Sequence, residues 1–126
     1  MTAEWDTVAI LGVGLIGGSI GLGLLERGLA RRVIGIGRRP ASLRAARRRG
    51  AATETTTDLA RGVAEAGLII VCTPVDHVAE HEAQVRRHCL PDALVTDVAS
   101  TKATIVATIA AQDAVAESKR RGLFVG

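Results

Sequence analysis

Apolar and polar positions fall into alternating blocks along this chain, short aliphatic runs separated by stretches with helical spacing. Thr7–Leu11 reads as a buried strand. Leu15–Arg27 reads as a helix ended by Gly28. Arg32–Ile36 is a second strand, and Pro40–Arg49 a helix with proline in its first turn and Gly50 as its stop. A weak strand is expected at Ala51–Thr53 and a short helix at Asp58–Glu65. Leu68–Cys72 is the cleanest strand; Val78–His88 then reads as a helix and Ala93–Thr96 as a strand. Thr101–Gln112 is expected to be helical, and Leu123–Val125 to start a last strand.

Strands that alternate with helices form βαβ units around a parallel sheet. Right-handed crossovers favour a doubly wound, mostly parallel α/β sheet of Rossmann type in three layers, with strand order 3-2-1-4-5-6. Ligands of such sheets bind beyond the carboxyl ends of the strands. Four loops therefore matter: 12–17, 37–39, 73–76 and 97–102.

The 126 residues suit a single domain, 1–126. Hydrophobic residues make up 48% of the chain, which argues against a disordered chain, and aromatics only 2%, so the core must be aliphatic. The net charge is +3, but nine arginines and no acid lie between Arg27 and Arg49. Such a block suits an anionic partner or a solvated helix face. Nucleic acid is disfavoured: no recognition motif is present, and Trp5 and Phe124 are the only aromatics available to stack on bases. Val8–Leu25 is uncharged, but its six glycines suit a strand, a tight turn and a buried helix rather than a membrane span. Cys72 and Cys89 match no metal or redox spacing, and Cys72 closes an apolar run. A reduced, cytoplasmic protein is expected.

The loop Gly12-Val13-Gly14-Leu15-Ile16-Gly17 lies between the first strand and the first helix. A pyrophosphate needs bare backbone N–H groups and no side chain in the way. Gly12 permits the tight turn, Gly14 lets backbone approach phosphate, and Gly17 lets the helix pack on the sheet. The helix then points its partial positive end at the anion. After the second strand, where an acid usually holds a free ribose 2′-hydroxyl, stand Gly37, Arg38 and Arg39. Glycine leaves room for a 2′-phosphate, arginine supplies a bidentate partner, and Ser42 can add a hydroxyl. NADP is therefore favoured over NAD. The alternatives are a glycine packing motif with no ligand, another nucleotide in the loop, and arginines that simply face solvent.

Two further loops flank the reacting end. Cys72-Thr73-Pro74 follows the strongest strand, and Asp97-Val98-Ala99-Ser100-Thr101-Lys102 follows the next. Ser100 suits the N-cap of the following helix, a purely structural role that would by itself explain it. Asp97 and Lys102 have equally plain readings as loop and surface residues.

The runs VAILGVGLIGGSIGLGL, VCTPV, DVASTK and LFVG, taken together at these spacings, resemble the prephenate dehydrogenase family, which includes arogenate dehydrogenases. The resemblance covers essentially the whole chain. It implies oxidative decarboxylation of prephenate to 4-hydroxyphenylpyruvate in tyrosine synthesis, with hydride passing to the nicotinamide. It implies that Ser100 lies between nicotinamide and substrate hydroxyl as the catalytic serine. Cofactor contacts would come from the glycine loop, from Cys72, Thr73 and Pro74, and from Val98 and Ser100. No metal is implied. Ala99 stands where the family usually has glycine, and the acid after the second strand is missing, as in members that use NADP.

In the family a catalytic histidine follows the F-V-G stretch, and a helical second domain supplies substrate-binding arginines and most of a homodimer interface. Neither falls within residues 1–126. The expectation is that this chain alone binds cofactor and turns over little, because a general base typically contributes a factor of about 10²–10⁴. His77 and His81 lie four apart, and His88 lies about 16 Å from His77 along the helix axis. A surface or loop-contact role is expected for them, with His77, nearest the Thr73–Pro74 loop, the one to watch. Two other readings remain open: a non-catalytic nucleotide-binding module, and another reductase of this fold acting on an imine or hydroxyacid.

Overall fold

The computed structural model describes residues 4–73, 75–97 and 123–125. Among these described residues, four helices and six strands follow in order: β1 (Trp5–Leu11), α1 (Leu15–Glu26), β2 (Ala30–Ile36), α2 (Pro40–Arg48), β3 (Glu54–Thr56), α3 (Leu59–Val63), β4 (Leu68–Val71), α4 (Val75–His88), β5 (Leu94–Asp97) and β6 (Leu123–Val125). The strands form one sheet in the order β3-β2-β1-β4-β5-β6, and every pairing is parallel. The doubly wound order expected from the alternation of elements is the one found.

Side chains alternate across the sheet with period two, and both faces are buried. Val8, Ile10, Val33, Leu68, Ile70 and Leu94 pack on one face, against Leu43 and Ala46 of α2 and against Ile20, Leu22 and Leu24 of α1. Ala9, Leu11, Ile34, Ile36, Ile69, Val71 and Val95 pack on the other, against Val63 of α3 and Val85 of α4. Two apolar layers on one sheet explain why the strands read as continuous aliphatic runs.

Helix α1 lies unusually close to the sheet, and two glycines make that possible. A Cβ on Gly17 would overlap the Gly12 carbonyl oxygen, and one on Gly21 would overlap the Ala51 carbonyl oxygen. Gly18 is different: its extra carbon would press only on the end of the Arg49 side chain, which can move. The helices stop where glycine permits a left-handed residue, at Gly28 (φ +66°) and Gly50 (φ +78°).

Three elements depart from the sequence reading. The third strand is Glu54–Thr56, not Ala51–Thr53. Ala51 and Ala52 are buried, and the Ala51 N–H closes α2 by donating to the Ala46 carbonyl at 2.9 Å. These apolar residues form the turn beneath α1, and the following polar ones make the edge strand. Arg32 anchors that edge, donating to both carboxylate oxygens of Glu54 at 2.7 and 3.0 Å and to Glu65 at 2.8 Å. Helix α4 starts at Val75, nearly one turn before the expected Val78. Helix α3 is shorter than expected, and Asp58 caps it by accepting from the Arg61 N–H at 3.3 Å. The expected helix at 101–112 lies outside the described residues. No helix among the described residues is long and apolar enough to cross a membrane.

The glycines differ testably. Gly17→Ala should destabilise the fold by about 1–3 kcal/mol through overpacking. Gly14→Ala, whose Cβ meets nothing within 4 Å, should cost less than about 1 kcal/mol, the price of a poorer N-cap. Urea unfolding of the two variants measures both; equal losses would contradict this division.

Candidate functional site

The carboxyl ends of β1, β2 and β4 open into a groove of about 640 Å³. Its floor is the turn that leaves β1. Gly12 adopts φ +96° there, and its N–H donates to the Ile36 carbonyl at 2.8 Å. The Cys72 N–H donates to the Leu11 carbonyl at 2.7 Å, so three strand ends are tied together. A Cβ on Gly12 would come within 2.9 Å of the Cys72 carbonyl oxygen. Gly12 and Gly17 are therefore required by the protein's own packing.

Gly14 is not. It is exposed, has an ordinary φ of −71°, lines the groove, and has open space where a side chain would stand. It is also the N-cap of α1, yet it provides no side-chain cap, and the first turn carries no acid. The first intrahelical bond runs from the Gly18 N–H to the Gly14 carbonyl at 2.8 Å. The N–H groups before it point out of the helix end, where the dipole is positive. Bare amides beside an open cradle have the chemistry of an anion site.

The loop after β2 forms one wall, with Gly37, Arg38, Arg39 and Ser42. A Cβ on Gly37 would press on Leu43 at 3.3 Å. An acid here would need that buried leucine to shift, and the first turn of α2 has none. Arg31 and Arg32 of the basic block face elsewhere, in ion pairs with Asp6 and with Glu54 and Glu65. Arg38 and Arg39 are the block's members on the groove wall.

The other wall is Thr73 with His77, Glu80 and His81 of α4. The His81 Nδ1 and Thr73 Oγ1 lie 3.0 Å apart, and the His77 and His81 rings are 6.0 Å apart. Burial pushes the His81 imidazole below its ordinary value; Glu80 opposes the shift, while His77 and Arg38 add to it. Burial, helped by Asp97, pushes the Cys72 thiol up to about 12, so it is no nucleophile.

Of the residues expected from sequence, Gly12, Gly14, Gly37, Arg38, Arg39 and Thr73 meet in this one groove. Gly17 is buried behind it, and Cys72 contributes backbone. The Leu15 and Ile16 side chains are 82% and 55% exposed and point away from the core, so only their amides can serve an anion at the helix end. Pro74, Val98 and Ser100 lie outside the described residues. The Thr73–His81 contact was not singled out from sequence. Its signal in the sequence is a histidine pair four apart just after the loop, in which nearness to the loop favours His77 over His81. A start of α4 one turn earlier places His81 against the threonine.

Fold and site together define a nucleotide-binding domain of the dehydrogenase type. Residues 20–118 match the family model described as "Prephenate dehydrogenase, nucleotide-binding domain". The prephenate dehydrogenase of Bacillus subtilis (strain 168) is 33% identical over 102 residues, 80% of this chain and 28% of the relative. The crystal structure of Synechocystis arogenate dehydrogenase superimposes with a TM-score of 0.70 at 34% identity, over 84% of this chain and 37% of that one. Prephenate dehydrogenase from A. aeolicus, in complex with hydroxyphenyl propionate and NAD+, does so with a TM-score of 0.67 at 27% identity, over 73% and 32%. This chain belongs to the prephenate dehydrogenase family of oxidoreductases, as its nucleotide-binding domain. It spans under a third of the length of the Bacillus relative. The family match begins after the glycine loop, so the anion cradle rests on its own geometry.

The Cys72 environment predicts that alkylation at pH 8 runs at least about ten-fold slower than for an ordinary thiol, because burial leaves far less thiolate and the greater nucleophilicity of that thiolate offsets only part of the loss. Mass-spectrometric labelling of the native chain checks this; modification of Cys72 at the rate of a free thiol would contradict it.

Proposed function

We propose that this domain holds the dinucleotide for an NAD(P)-dependent oxidative decarboxylation of prephenate or arogenate, with NADP preferred to NAD. The observation that carries the reading is Gly14: a glycine that the packing does not need, at an uncapped helix end, inside the groove that also holds Arg38 and Arg39. The cradle fits a pyrophosphate, which needs free amides and no Cβ. The amides around Gly14, Leu15 and Ile16 hold it, and Gly12 and Gly17 keep that backbone in place. Arg38 and Arg39, with Ser42, take the 2′-phosphate; Gly37 brings no carboxylate to repel it. Thr73 and Pro74 border the ribose, and Val98 and Ser100 border the nicotinamide, where Ser100 orients the substrate hydroxyl.

When bound, the cofactor would supply a hydride acceptor for the ring carbon bearing that hydroxyl, in a reaction that releases carbon dioxide and leaves the ring aromatic. Residues 1–126 supply the binding and orientation of the cofactor. The base for the substrate hydroxyl, the groups that hold the substrate carboxylates and the dimer interface belong to a second, helical region of the enzyme. A cytoplasmic location in tyrosine synthesis follows from the same reading.

Calorimetric titration of this chain tests the proposal. NADP should bind more tightly than NAD, and Arg38→Ala should remove about ten-fold of the NADP affinity, the lower end for a charge-assisted bond because the arginine is exposed. Gly14→Val should abolish binding of both with the fold intact. Equal affinities unchanged by Arg38→Ala would defeat the NADP preference. Undiminished binding by Gly14→Val would defeat the cradle.

A further inference from the structure

We infer that His81 is a specificity-determining residue of the cofactor groove: Thr73 holds its imidazole on the wall, and there it takes up a proton as the anionic dinucleotide binds. This rests on the groove being the dinucleotide site, as proposed above.

Topology places the ring. Strand order β2-β1-β4 sets the loop after β2, with Arg38, and the loop after β4, with Thr73 and α4, on either side of the glycine loop. An anion in the groove therefore lies between the Arg38 wall and the histidine wall. His81 lines the groove and is half-buried, so its charge acts through less water than that of an exposed residue.

Thr73 makes the ring's position independent of its charge. A hydroxyl both donates and accepts. With neutral imidazole, Thr73 Oγ1 donates to Nδ1, and Nε2 carries the ring hydrogen. With imidazolium, Nδ1–H donates to Oγ1. Only the hydroxyl hydrogen turns, so the 3.0 Å contact survives in both states. The proton comes from solvent to Nδ1, and no other bond changes.

The surroundings hold the free ring neutral. The charged or titratable groups that act on it are Glu80 and His77 from α4 and Arg38 from the loop after β2. The segment entering α3, which packs beside α4, brings Thr57 and Leu59 to the groove. Burial dominates and disfavours the charged form, with Arg38 and His77 on the same side. A bound pyrophosphate reverses this balance: it offsets Arg38 and attracts the imidazolium directly. Affinity should then rise as pH falls from the bound ring's pKa towards that of the free ring, which burial holds below the ordinary imidazole value. The groove thereby favours ligands carrying phosphate charge over neutral ones.

The test is calorimetry of NADP binding to this chain near pH 6, in two buffers of different ionisation enthalpy. The variant His81→Asn keeps an acceptor for Thr73 but cannot charge. The 2′-phosphate itself ionises near pH 6, so the difference between wild type and variant is the readout. Wild type should take up a fraction of a proton that His81→Asn does not. Its affinity advantage over the variant should grow by up to about five-fold between pH 7.5 and 5.5, the upper end for one partly exposed charge contact. Equal proton uptake and equal pH profiles would overturn the inference and leave the cofactor site standing. Failure of the wild type to bind NADP at all would overturn the site and the inference with it. Should His81→Asn not fold, NMR titration of the wild-type His81 ring decides: its pKa must rise on adding NADP, and an unchanged value overturns the claim.

Discussion

Everything at the carboxyl end of this sheet depends on how closely α1 approaches it. Gly17 and Gly21 sit one helical turn apart with carbonyl oxygens where their side chains would be. Any Cβ at either position lifts the helix. Because α1 begins at the loop that leaves β1, lifting it would also move Gly14 and the free amides of the first turn. The same contact fixes Gly12, whose carbonyl meets Gly17 and whose N–H is tied to the end of β2. Packing and anion site are thus one construction, joined through a few backbone atoms.

The three glycines of the loop do different work. Two are demanded by the fold, and the third, Gly14, lines the groove with open space where a side chain would stand. This separation matters because a glycine-rich turn can be required by packing alone, and at Gly14 packing makes no such demand. The walls add sign. One carries Arg38 and Arg39, the other Thr73 and two histidines, and among the described residues Glu80 is the carboxylate that shares their surface. A ligand with phosphate at the helix end and a further negative group near β2 matches this distribution.

Much of the fold was legible because buried parallel strands leave no room for polar residues. Thr7–Leu11, Arg32–Ile36 and Leu68–Cys72 declare themselves by composition, and their alternation with helices dictates the strand order. The edge strand gave no such signal. Glu54-Thr55-Thr56 is polar because one side of an edge needs no apolar partner, and Arg32 replaces hydrophobic cover with two ion pairs. The apolar Ala51 and Ala52 drew the strand assignment towards a turn. The glycine loop and the arginine pair were legible as chemistry. Which histidine meets Thr73 was not, since it depends on the starting residue and rotation of α4, and a proline immediately before a helix suits its start as well as it suits a loop.

The central claim is that the groove at the ends of β1, β2 and β4 takes the dinucleotide phosphates. Mapping backbone amide shifts during NADP titration of the ¹⁵N-labelled chain tests it most directly. The account predicts that the largest changes fall on residues 12–18, on Gly37 to Ser42 and on Thr73, with the Gly14 and Leu15 amides among the most strongly shifted. Changes centred elsewhere on the surface, or none at saturating cofactor, would contradict it.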